Sequence, residues 1–428
     1  MRVGYALGTM LYQGSHKTRV LIGYDTRASA SMLCSAISSG LCSAGVYPTR
    51  IGVITTPGVA YLTKKHRFDA GVMISASHNS YEYNGIKIFT QDGYKLPDEI
   101  EERIESIVSD FGRENASLDK IGYEIPPERD YVLDYVRHLR ACSEPLDGLK
   151  IAIDCANGAS CTVARELFSS LGAICYMLGD SPNGYNINDE CGSTNTRGLR
   201  ECVLKHSLDC GIALDGDADR LIVIDERGEV VDGDMIMASL AYDMKKRGAL
   251  IKSTIVATVM SNYGLEVFCR ENGISLVSCA VGDRYVLERM LQDSYNLGGE
   301  QSGHIILSDF STTGDGLLSA LCLLSLSKRK NLKISALHSV MKKYPQFLVN
   351  LKASDSDKLR LLTDTQIKSL IERARVALGN TGRILVRPSG TEGLIRIMVQ
   401  AQTDESAQAI ATELGEGIAE RLGQKRLK

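Results

Sequence analysis

Apolar residues along the chain alternate between short β-branched runs and longer stretches with helical spacing. Three of the runs, RVLIGYDTR, LKIAIDCANGA and TIVATVMSNYG, end in polar residues and lead into a helical stretch. Each is followed by a second apolar run that also ends in polar residues, in FDAGVMISASHN, LDCGIALDGDADR and YNLGGEQSGHI. Strands that alternate with helices predict α/β units with parallel strands.

The three units match one another at the start of the second run. Residues 68–71, 208–211 and 295–298 read FDAG, LDCG and YNLG. This similarity predicts a divergent internal repeat. Because ligands bind beyond the carboxyl ends of strands in open α/β sheets, the polar residues after each run form the candidate site.

The last part of the chain has a different order of elements. One helix is predicted over SDKLRLLTDTQIKSLIERARVAL and another over ESAQAIATELGEGIAERL, with strands at FLVNLKA, RILV and LIRIMVQAQ. The whole pattern therefore predicts four domains whose loops share a cleft. Their expected bounds are 1–147, 148–252, 253–342 and 343–428.

Composition narrows the classes of function. The formal net charge is −3, so the chain has no basic excess with which to bind a nucleic-acid backbone. No apolar run approaches the roughly 18 residues that cross a bilayer, and the N-terminal MRVGYALGTMLYQG lacks the apolar core of a signal peptide. The 12 cysteines form no CxxC pair and no zinc-ligand spacing. We therefore expect a cytoplasmic protein without nucleic-acid or membrane partners.

The stretch DGDADR is the most specific chemical signal. Alternate residues of an extended backbone face the same side, so Asp215, Asp217 and Asp219 bring three carboxylates together. These would repel one another without a cation, and oxygen ligands favour Mg²⁺ or Ca²⁺. An EF-hand is excluded because Arg220 stands where its loop needs glycine and the strand-like LIVID follows. An arginine beside a metal site favours phosphate binding.

The loop RPSGTE is a second candidate for phosphate binding. Arg387 supplies a guanidinium, Ser389 and Thr391 supply hydroxyls, and Gly390 permits close approach of the backbone. A simple Pro-Ser-Gly turn is the alternative interpretation. The nearby Arg396 makes that alternative less favourable.

The stretch ISASHNS, at residues 74–80, raises the question of a reactive serine. The chain has neither the GxSxG element of an α/β hydrolase nor the Walker A motif of a P-loop kinase. A serine that accepts and returns a phosphoryl group remains, with a divalent cation that neutralises the phosphate oxygens. That chemistry requires a metal, arginines, a phosphate-binding loop and a proton shuttle, and the chain offers residues for each.

In this order along the chain, SASHN, NGIK, DGDADR, GEQSGH and RPSGTE resemble the motifs of the α-D-phosphohexomutase superfamily. The resemblance implies an α/β fold of four domains around a central cleft, the first three similar units with mixed sheets and the fourth a smaller α+β domain. It implies that Ser77 carries the phosphoryl group and binds one Mg²⁺ together with Asp215, Asp217 and Asp219. The implied catalytic residues are Ser77, His78, Lys87, Arg220 and Arg27. The implied substrate-binding residues are Arg284, Glu300, Ser302, Arg387, Ser389, Gly390, Thr391 and Arg396.

Within the superfamily, AVGDRYVLERM, GGEQSGH and STTGDGLLSAL resemble the phosphoglucosamine mutases. This implies interconversion of glucosamine 6-phosphate and glucosamine 1-phosphate through a 1,6-bisphosphate, on the route to UDP-N-acetylglucosamine. Glucosamine or glucose 1,6-bisphosphate would be the activator, and a hexosamine phosphate would be the small-molecule partner. A phosphomannomutase/phosphoglucomutase is the alternative within the superfamily. A homodimer is one option for the assembly, on which the sequence gives no information.

Members of the superfamily usually open with a strand and an arginine-containing loop. This chain begins within the helix expected after that loop, at VGYALGTMLY. A sugar-phosphate-binding chain with impaired catalysis is therefore the alternative outside enzymes.

Overall fold

The computed structural model describes residues 1–12, 16–110, 121–389 and 392–423. Internal contacts divide the chain into two units. The first comprises Met1–Met260 and Asn272–Val340, and the second comprises Ser261–Glu271 and Met341–Lys428.

The first unit holds three β-sheets and their helices. Its strands are β1 (Arg19–Tyr24), β2 (Tyr47–Val53), β3 (Ala70–Ile74), β4 (Ile86–Thr90), β5 (Lys150–Asp154), β6 (Ile174–Leu178), β7 (Cys210–Leu214), β8 (Leu221–Asp225), β9 (Val230–Val231), β10 (Thr254–Thr258), β11 (Ser275–Cys279), β12 (Leu297–Gly299) and β13 (Ile305–Leu307). Its helices are α1 (Arg2–Leu11), α2 (Ala30–Ser43), α3 (Thr56–Lys65), α4 (Asp98–Ser109), α5 (Tyr131–Ala141), α6 (Ala164–Ser170), α7 (Arg197–His206), α8 (Gly233–Lys246), α10 (Asp283–Asp293), α11 (Gly316–Lys330) and α12 (Ile334–His338).

The three sheets share one strand order. They run β2-β1-β3-β4, β6-β5-β7-β8-β9 and β11-β10-β12-β13. In each, the first three strands are parallel and the next strand is antiparallel. This confirms the prediction of three similar α/β units with mixed sheets.

The matching residues of the repeat make matching contacts. Asp69 Oδ2 accepts a hydrogen bond from the backbone N–H of the first residue of β1 at 2.7 Å, and Asp209 Oδ2 does the same at the start of β5 at 2.8 Å. Asn296 Oδ1 accepts from the backbone N–H of Ile251, shortly before β10, at 3.0 Å. Each side chain thus satisfies a backbone donor near the start of the second strand in the order of its sheet.

Four strands of the first unit end in the polar stretches that the sequence singled out. Residues 25–27 follow β1, 75–79 follow β3, 215–220 follow β7, and 300–304 follow β12. All five residues of β3 and all five of β7 are buried, as expected for parallel strands covered on both faces. Buried strands therefore present these loops from a rigid support.

The second unit has a smaller, antiparallel sheet. Its elements are α9 (Tyr263–Glu271), β14 (Gln346–Lys352), α13 (Asp355–Thr363), α14 (Thr365–Leu378), β15 (Arg383–Pro388), β16 (Leu394–Gln400) and α15 (Asp404–Arg421), and the strand order is β14-β16-β15. Its core includes Ile395, Ile397 and Val399 of the central strand.

The prediction of a single helix before β15 is wrong about the number of helices. The structure has two helices there, because Asp364 leaves the helical conformation and its carboxylate accepts from the backbone N–H groups of Gln366 and Ile367.

The four sheets fall one in each of the four predicted segments, and the exact domain bounds stay predictions. Over the described residues, every helix is too short or too polar to cross a bilayer.

Candidate active site

The loop after β3 holds the Ser77 hydroxyl against the aspartates. Ser77 has a φ of 51°, a left-handed conformation that is uncommon for a residue with a Cβ. Its Oγ donates to Oδ2 of Asp215 at 2.5 Å, and its backbone N–H donates to Oγ of Ser75 at 3.0 Å. Ser75 in turn donates to Asp25 at 2.5 Å. A chain of hydrogen bonds therefore links Ser77 to the end of β1.

Arg27 binds the same loop from inside the protein. A guanidinium has five N–H donors, and the side chain of Arg27 is 0% exposed. Its five acceptors are the carboxylate of Asp25 and the backbone carbonyls of Ser77, Asn79, Ser80 and Tyr83. No donor remains for a phosphate, so Arg27 positions the loop. This differs from the predicted contact with a transferring phosphate.

Three buried carboxylates lie beside Ser77. One oxygen from each of Asp215, Asp217 and Asp219 lies within 4.8 Å of the others. Lys87 Nζ donates to Asp217 at 2.5 Å and to Asp219 at 3.1 Å. One oxygen of Asp217 and one of Asp219 are buried without a hydrogen-bond partner among the described residues. The positive charge of one lysine does not balance three carboxylates, and two of the carboxylate oxygens lack a hydrogen-bond donor.

The pKa values of the aspartates have separate causes. Burial and the other two carboxylates raise the pKa of Asp215 well above its usual value. Burial would also raise the pKa of Asp219, but Lys87 and His304 hold it well below its usual range. Three buried carboxylates, two of which have an oxygen without a partner, fit a hard divalent cation, which would supply the missing positive charge.

A cavity of about 560 Å³ opens beside Ser77 in the first unit. Seven of the predicted site residues line it: Ser77, His78, Lys87, Asp219, Arg220, Glu300 and Ser302. The Nε of Arg220 is buried and has no hydrogen-bond partner among the residues that the structure describes. The side chain of Arg220 is 25% exposed and brings a positive charge to the wall of the cavity.

His78 and Lys87, which both line this cavity, have pKa values shifted in opposite directions. Burial and the nearby Arg220 lower the pKa of His78, so its imidazole is neutral near pH 7. Burial would lower the pKa of Lys87, but the carboxylates of Asp217 and Asp219 raise it above the usual value. One group is thus ready to accept a proton and the other holds one.

Comparisons with known proteins agree with this architecture. The sequence matches the models of all four domains of the phosphoglucomutase/phosphomannomutase family, in chain order. The α/β/α domain I model matches residues 1–113, domain II 133–228, domain III 232–344 and the C-terminal domain 348–416. The phosphoglucosamine mutase of Clostridioides difficile (strain 630) is 46% identical over 426 residues, which are 98% of this chain and 94% of that protein. That of Thermoanaerobacter sp. (strain X514) is 48% identical over 425 residues, with the same coverage.

The chain belongs to the phosphoglucomutase/phosphomannomutase family. Solved structures share its fold at lower identity. A family protein from Burkholderia thailandensis has a TM-score of 0.82 and 21% identity, with 100% of this chain and 94% of that chain covered. The N-acetylphosphoglucosamine mutase of Aspergillus fumigatus, in complex with GlcNAc-6P and magnesium, has a TM-score of 0.65 and 19% identity, with 94% and 83% covered. The predicted family is confirmed.

Three ionisable residues that line the cavity were not predicted from the sequence, namely Lys95, Asp283 and His304. Lys95 and Asp283 form an ion pair, and His304 is 3% exposed. His304 Nε2 accepts a hydrogen bond from the backbone N–H of Gly314 at 3.1 Å. Asp283 lies in AVGDRYVLERM, which carries the family resemblance, and His304 closes the GEQSGH motif, whose assigned residues are Glu300 and Ser302.

Arg284 is one predicted substrate contact that the structure does not bring to the Ser77 cavity. It pairs with Asp98 and, at 2.8 Å, with Glu288. It lines a neighbouring cavity of about 270 Å³, which shares Lys95, Asp283 and His304 with the first. The adjacent residue Asp283, at the start of α10, lines both cavities.

The remaining predicted residues lie in the second unit. Arg387 on β15 and Arg396 on β16 are direct cross-strand partners. Arg396 also pairs with Glu392, whose backbone N–H donates to Oγ of Ser389 at 3.3 Å. Two guanidinium groups opposite one another repel unless an anion lies nearby. Gly390 and Thr391 lie outside the described residues.

Proposed function

We propose that this family member is a phosphoglucosamine mutase, an isomerase that interconverts glucosamine 6-phosphate and glucosamine 1-phosphate. The observation that carries the proposal is the Ser77 hydroxyl, 2.5 Å from Asp215 and beside a cavity that Lys87 and Arg220 line. Phosphoryl transfer depends mainly on positioning and on cations around the phosphate. The two phosphoglucosamine mutases that are 46% and 48% identical over nearly the whole chain support the amino-sugar substrate.

Asp215, Asp217, Asp219 and the phosphoryl group on Ser77 would hold one Mg²⁺. The unpaired buried oxygens of Asp217 and Asp219 support this assignment. When bound, the ion would neutralise phosphate oxygens as charge develops during transfer.

Each half-reaction exchanges one P–O bond for another. A hydroxyl of the sugar phosphate attacks the phosphorus on Ser77, and the bond from phosphorus to Ser77 Oγ breaks with its electron pair on Oγ. The attacking hydroxyl loses its proton to neutral His78, and Oγ receives a proton from Lys87. The 1,6-bisphosphate then reorients, and its other phosphoryl group returns to Ser77 with the two proton transfers reversed.

Other residues bind and orient the substrate. Arg220 holds the transferring phosphoryl group through its guanidinium charge, and Glu300 and Ser302 bind sugar hydroxyls. Arg387 and Arg396 bind a phosphate group, together with Ser389 and the predicted Gly390 and Thr391. A hexose 1,6-bisphosphate loads the phosphoryl group onto Ser77 as activator. Cytoplasmic location and a homodimeric state stay predictions.

The test is turnover by the chain as it stands, with Mg²⁺ and a trace of glucose 1,6-bisphosphate. Glucosamine 6-phosphate, mannose 6-phosphate and glucose 6-phosphate are compared as substrates, and phosphopeptide mapping locates the phosphoryl group. We expect preferred conversion of the amino sugar and a phosphoryl group on Ser77. Preference for mannose or glucose phosphate would favour a phosphomannomutase/phosphoglucomutase, and binding without turnover of any sugar would favour the non-catalytic alternative.

A further inference from the structure

Asp283 is a cavity carboxylate to which the mechanism above gives no part. It is the first residue of α10 and lines the cavity beside Ser77, together with Lys95 and Glu300. Its side chain is 28% exposed. Burial would raise the pKa of Asp283, but His304 and Lys95 lower it overall, so the carboxylate is ionised near pH 7.

The surroundings leave half of this carboxylate free. Its Oδ2 pairs with Lys95 and lies 3.6 Å from His304 Nε2. That separation is too long for a hydrogen bond, and the backbone N–H of Gly314 donates to the same nitrogen at 3.1 Å. The Oδ1 atom of Asp283 has no hydrogen-bond partner within the described part of the chain.

The neighbouring arginines, Arg284 and Arg220, form no ion pair with Oδ1 of Asp283. Arg284, the next residue, is directed to Asp98 and Glu288. Arg220 lies beside Asp219 at 3.9 Å. Asp283 therefore offers an acceptor-only group to whatever occupies the cavity, while Lys95 holds the carboxylate in place.

The proposed substrate differs from a neutral hexose phosphate in one group, the ammonium at carbon 2. An ammonium has donors only and binds best to an ionised acceptor. Of the carboxylates that line the cavity, Asp219 belongs to the metal site, and Glu300, whose Oε1 accepts from the backbone N–H of Gly282 at 3.1 Å, is assigned to the sugar hydroxyls. Asp283 is the remaining carboxylate, and its Oδ1 has no partner within the described part of the chain.

We propose that Asp283, oriented by its ion pair with Lys95, binds the 2-ammonium group of the hexosamine phosphate and sets the preference for amino sugars. The inference rests on the proposed function, because it takes the hexosamine phosphate as substrate. It adds a specificity-determining residue to the site. Removal of the carboxylate should weaken binding of the amino sugar and leave binding of the neutral sugar largely unchanged.

The experiment measures affinities for glucosamine 6-phosphate and glucose 6-phosphate by titration calorimetry in the presence of Mg²⁺. The chain carries Ser77→Ala, so that no turnover disturbs the titration. Asp283→Asn is expected to lower the ratio of the two affinities by about tenfold or more, as for loss of one charge-assisted hydrogen bond. The matched control is Glu288→Gln, which removes a carboxylate from the same helix outside the Ser77 cavity and should keep the ratio.

Two further measurements separate recognition from general damage. The wild-type preference should fall as pH rises past the pKa of the sugar amine, whereas the Asp283→Asn ratio should stay flat. The double variant Asp283→Asn/Lys95→Met should also lose the preference, because the carboxylate is still missing. A restored preference in the double variant would attribute the effect to an unpaired lysine and overturn the proposal.

An unchanged affinity ratio in Asp283→Asn, or an equal fall for both sugars, would likewise overturn it. Because the test is a binding ratio, it remains decisive even where turnover is absent. Failure of the wild type to convert any hexose phosphate would refute the proposed function alone. Thermal unfolding of each variant is measured to check that the native fold is retained.

Discussion

The loop that carries Ser77 and the loop that carries the three aspartates touch one another, yet they are held in opposite ways. In the serine loop, backbone carbonyls accept all but one of the five donors of Arg27. Asn188 Nδ2 adds hydrogen bonds to the carbonyls of Ser77 and Asn79, both at 2.9 Å. In the aspartate loop, buried oxygens of Asp217 and Asp219 have no partner among the described residues.

The two loops differ in what holds them in place: hydrogen bonds within the protein for the serine loop, and the charge of a cation for the aspartate loop on the proposed function. The serine loop is complete within the protein, so its strained φ at Ser77 is held by neighbouring groups. The aspartate loop is incomplete within the described residues, and a cation would complete it, because unpaired buried carboxylate oxygens are costly. Their contact is close, since a Cβ on Gly216 would lie 2.6 Å from the carbonyl oxygen of Ser77. On the proposed function, the chain would fix the nucleophile and a bound ion would supply the charge around it.

Replacing the nucleophile should have the largest effect. In Ser77→Ala no phosphoryl acceptor remains, and we expect mutase turnover to fall on the order of 10⁴-fold or more, as when other catalytic nucleophiles are removed. The melting temperature should stay within a few degrees of wild type. Turnover is measured by interconversion of glucosamine phosphates, with Ser80→Ala in the same loop as the matched control. Near-normal turnover by the Ser77 variant would remove this serine from the mechanism.

Changing the aspartate loop should break its dependence on a cation. Asp215→Asn removes one carboxylate that burial and its neighbours disfavour in ionised form. Without Mg²⁺ the variant should unfold at a higher temperature than wild type near neutral pH, whereas turnover should fall about 10²- to 10³-fold. The pKa of Asp215 is raised in the folded state, so the wild type without metal loses stability as pH rises through that pKa.

The measurement is thermal unfolding with Mg²⁺ and with a chelator, at several pH values. Asp180→Asn is the control, because Asp180 is paired with Arg165 at the surface, where the arginine is 61% exposed. Equal stabilisation of wild type and Asp215→Asn by Mg²⁺ would place the ion elsewhere.

Weakening the serine loop should have a smaller effect on turnover. Lysine has three donors on a flexible stem and cannot reproduce the planar, five-donor contacts of Arg27. We expect Arg27→Lys to lower kcat by about 10²-fold, which is the cost of a displacement near 1 Å at a reacting group. The Mg²⁺ titration should be unchanged, because Arg27 makes no hydrogen bond to Asp215, Asp217 or Asp219.

The check on Arg27 is hydrogen exchange over residues 75–85 together with kcat and the Mg²⁺ titration. Faster exchange in that segment with an intact Mg²⁺ response is the expected pattern. Arg165→Lys, at a surface ion pair, is the matched control. A loss of Mg²⁺ affinity in Arg27→Lys would contradict the separation of the two loops.

Much of this arrangement could be predicted from the sequence because it follows from local pattern. Apolar runs ending in DTR, SASHN, DGDADR and GEQSGH placed the motifs at strand ends, and the spacing of the aspartates brought them together. The part played by Arg27 could not be predicted, because its acceptors are backbone carbonyls 50 to 56 residues away. The position of Asp283 depended on the rotation of α10 about its axis, which periodicity does not determine for the first residue of a helix.

Asp315 provides the mildest test, since it supports the aspartate loop without lining the cavity. It caps α11 by accepting from the backbone N–H of Leu318 at 3.0 Å, and Tyr135 donates to its other oxygen at 2.8 Å. The next residue, Gly316, donates its backbone N–H to the carbonyl of Ala218 in the aspartate loop at 3.0 Å. Burial raises the pKa of Asp315 to about 6.

The raised pKa sets the direction of the last prediction. The folded state favours the protonated carboxyl, so its contribution is fully present below about pH 4 and is lost as pH rises through about 6. Asp315→Asn keeps the helix cap and has no charge to bury, so it should exceed wild type in stability near pH 7 by up to about 3 kcal/mol. The gap should close below about pH 4, and turnover should change by less than about threefold, because Asp315 does not line the cavity. Denaturant unfolding of both proteins across this range measures the gap, with the exposed N-cap Asp130→Asn as control. A gap that did not vary with pH would show that the buried carboxyl of Asp315 does not titrate as its surroundings require.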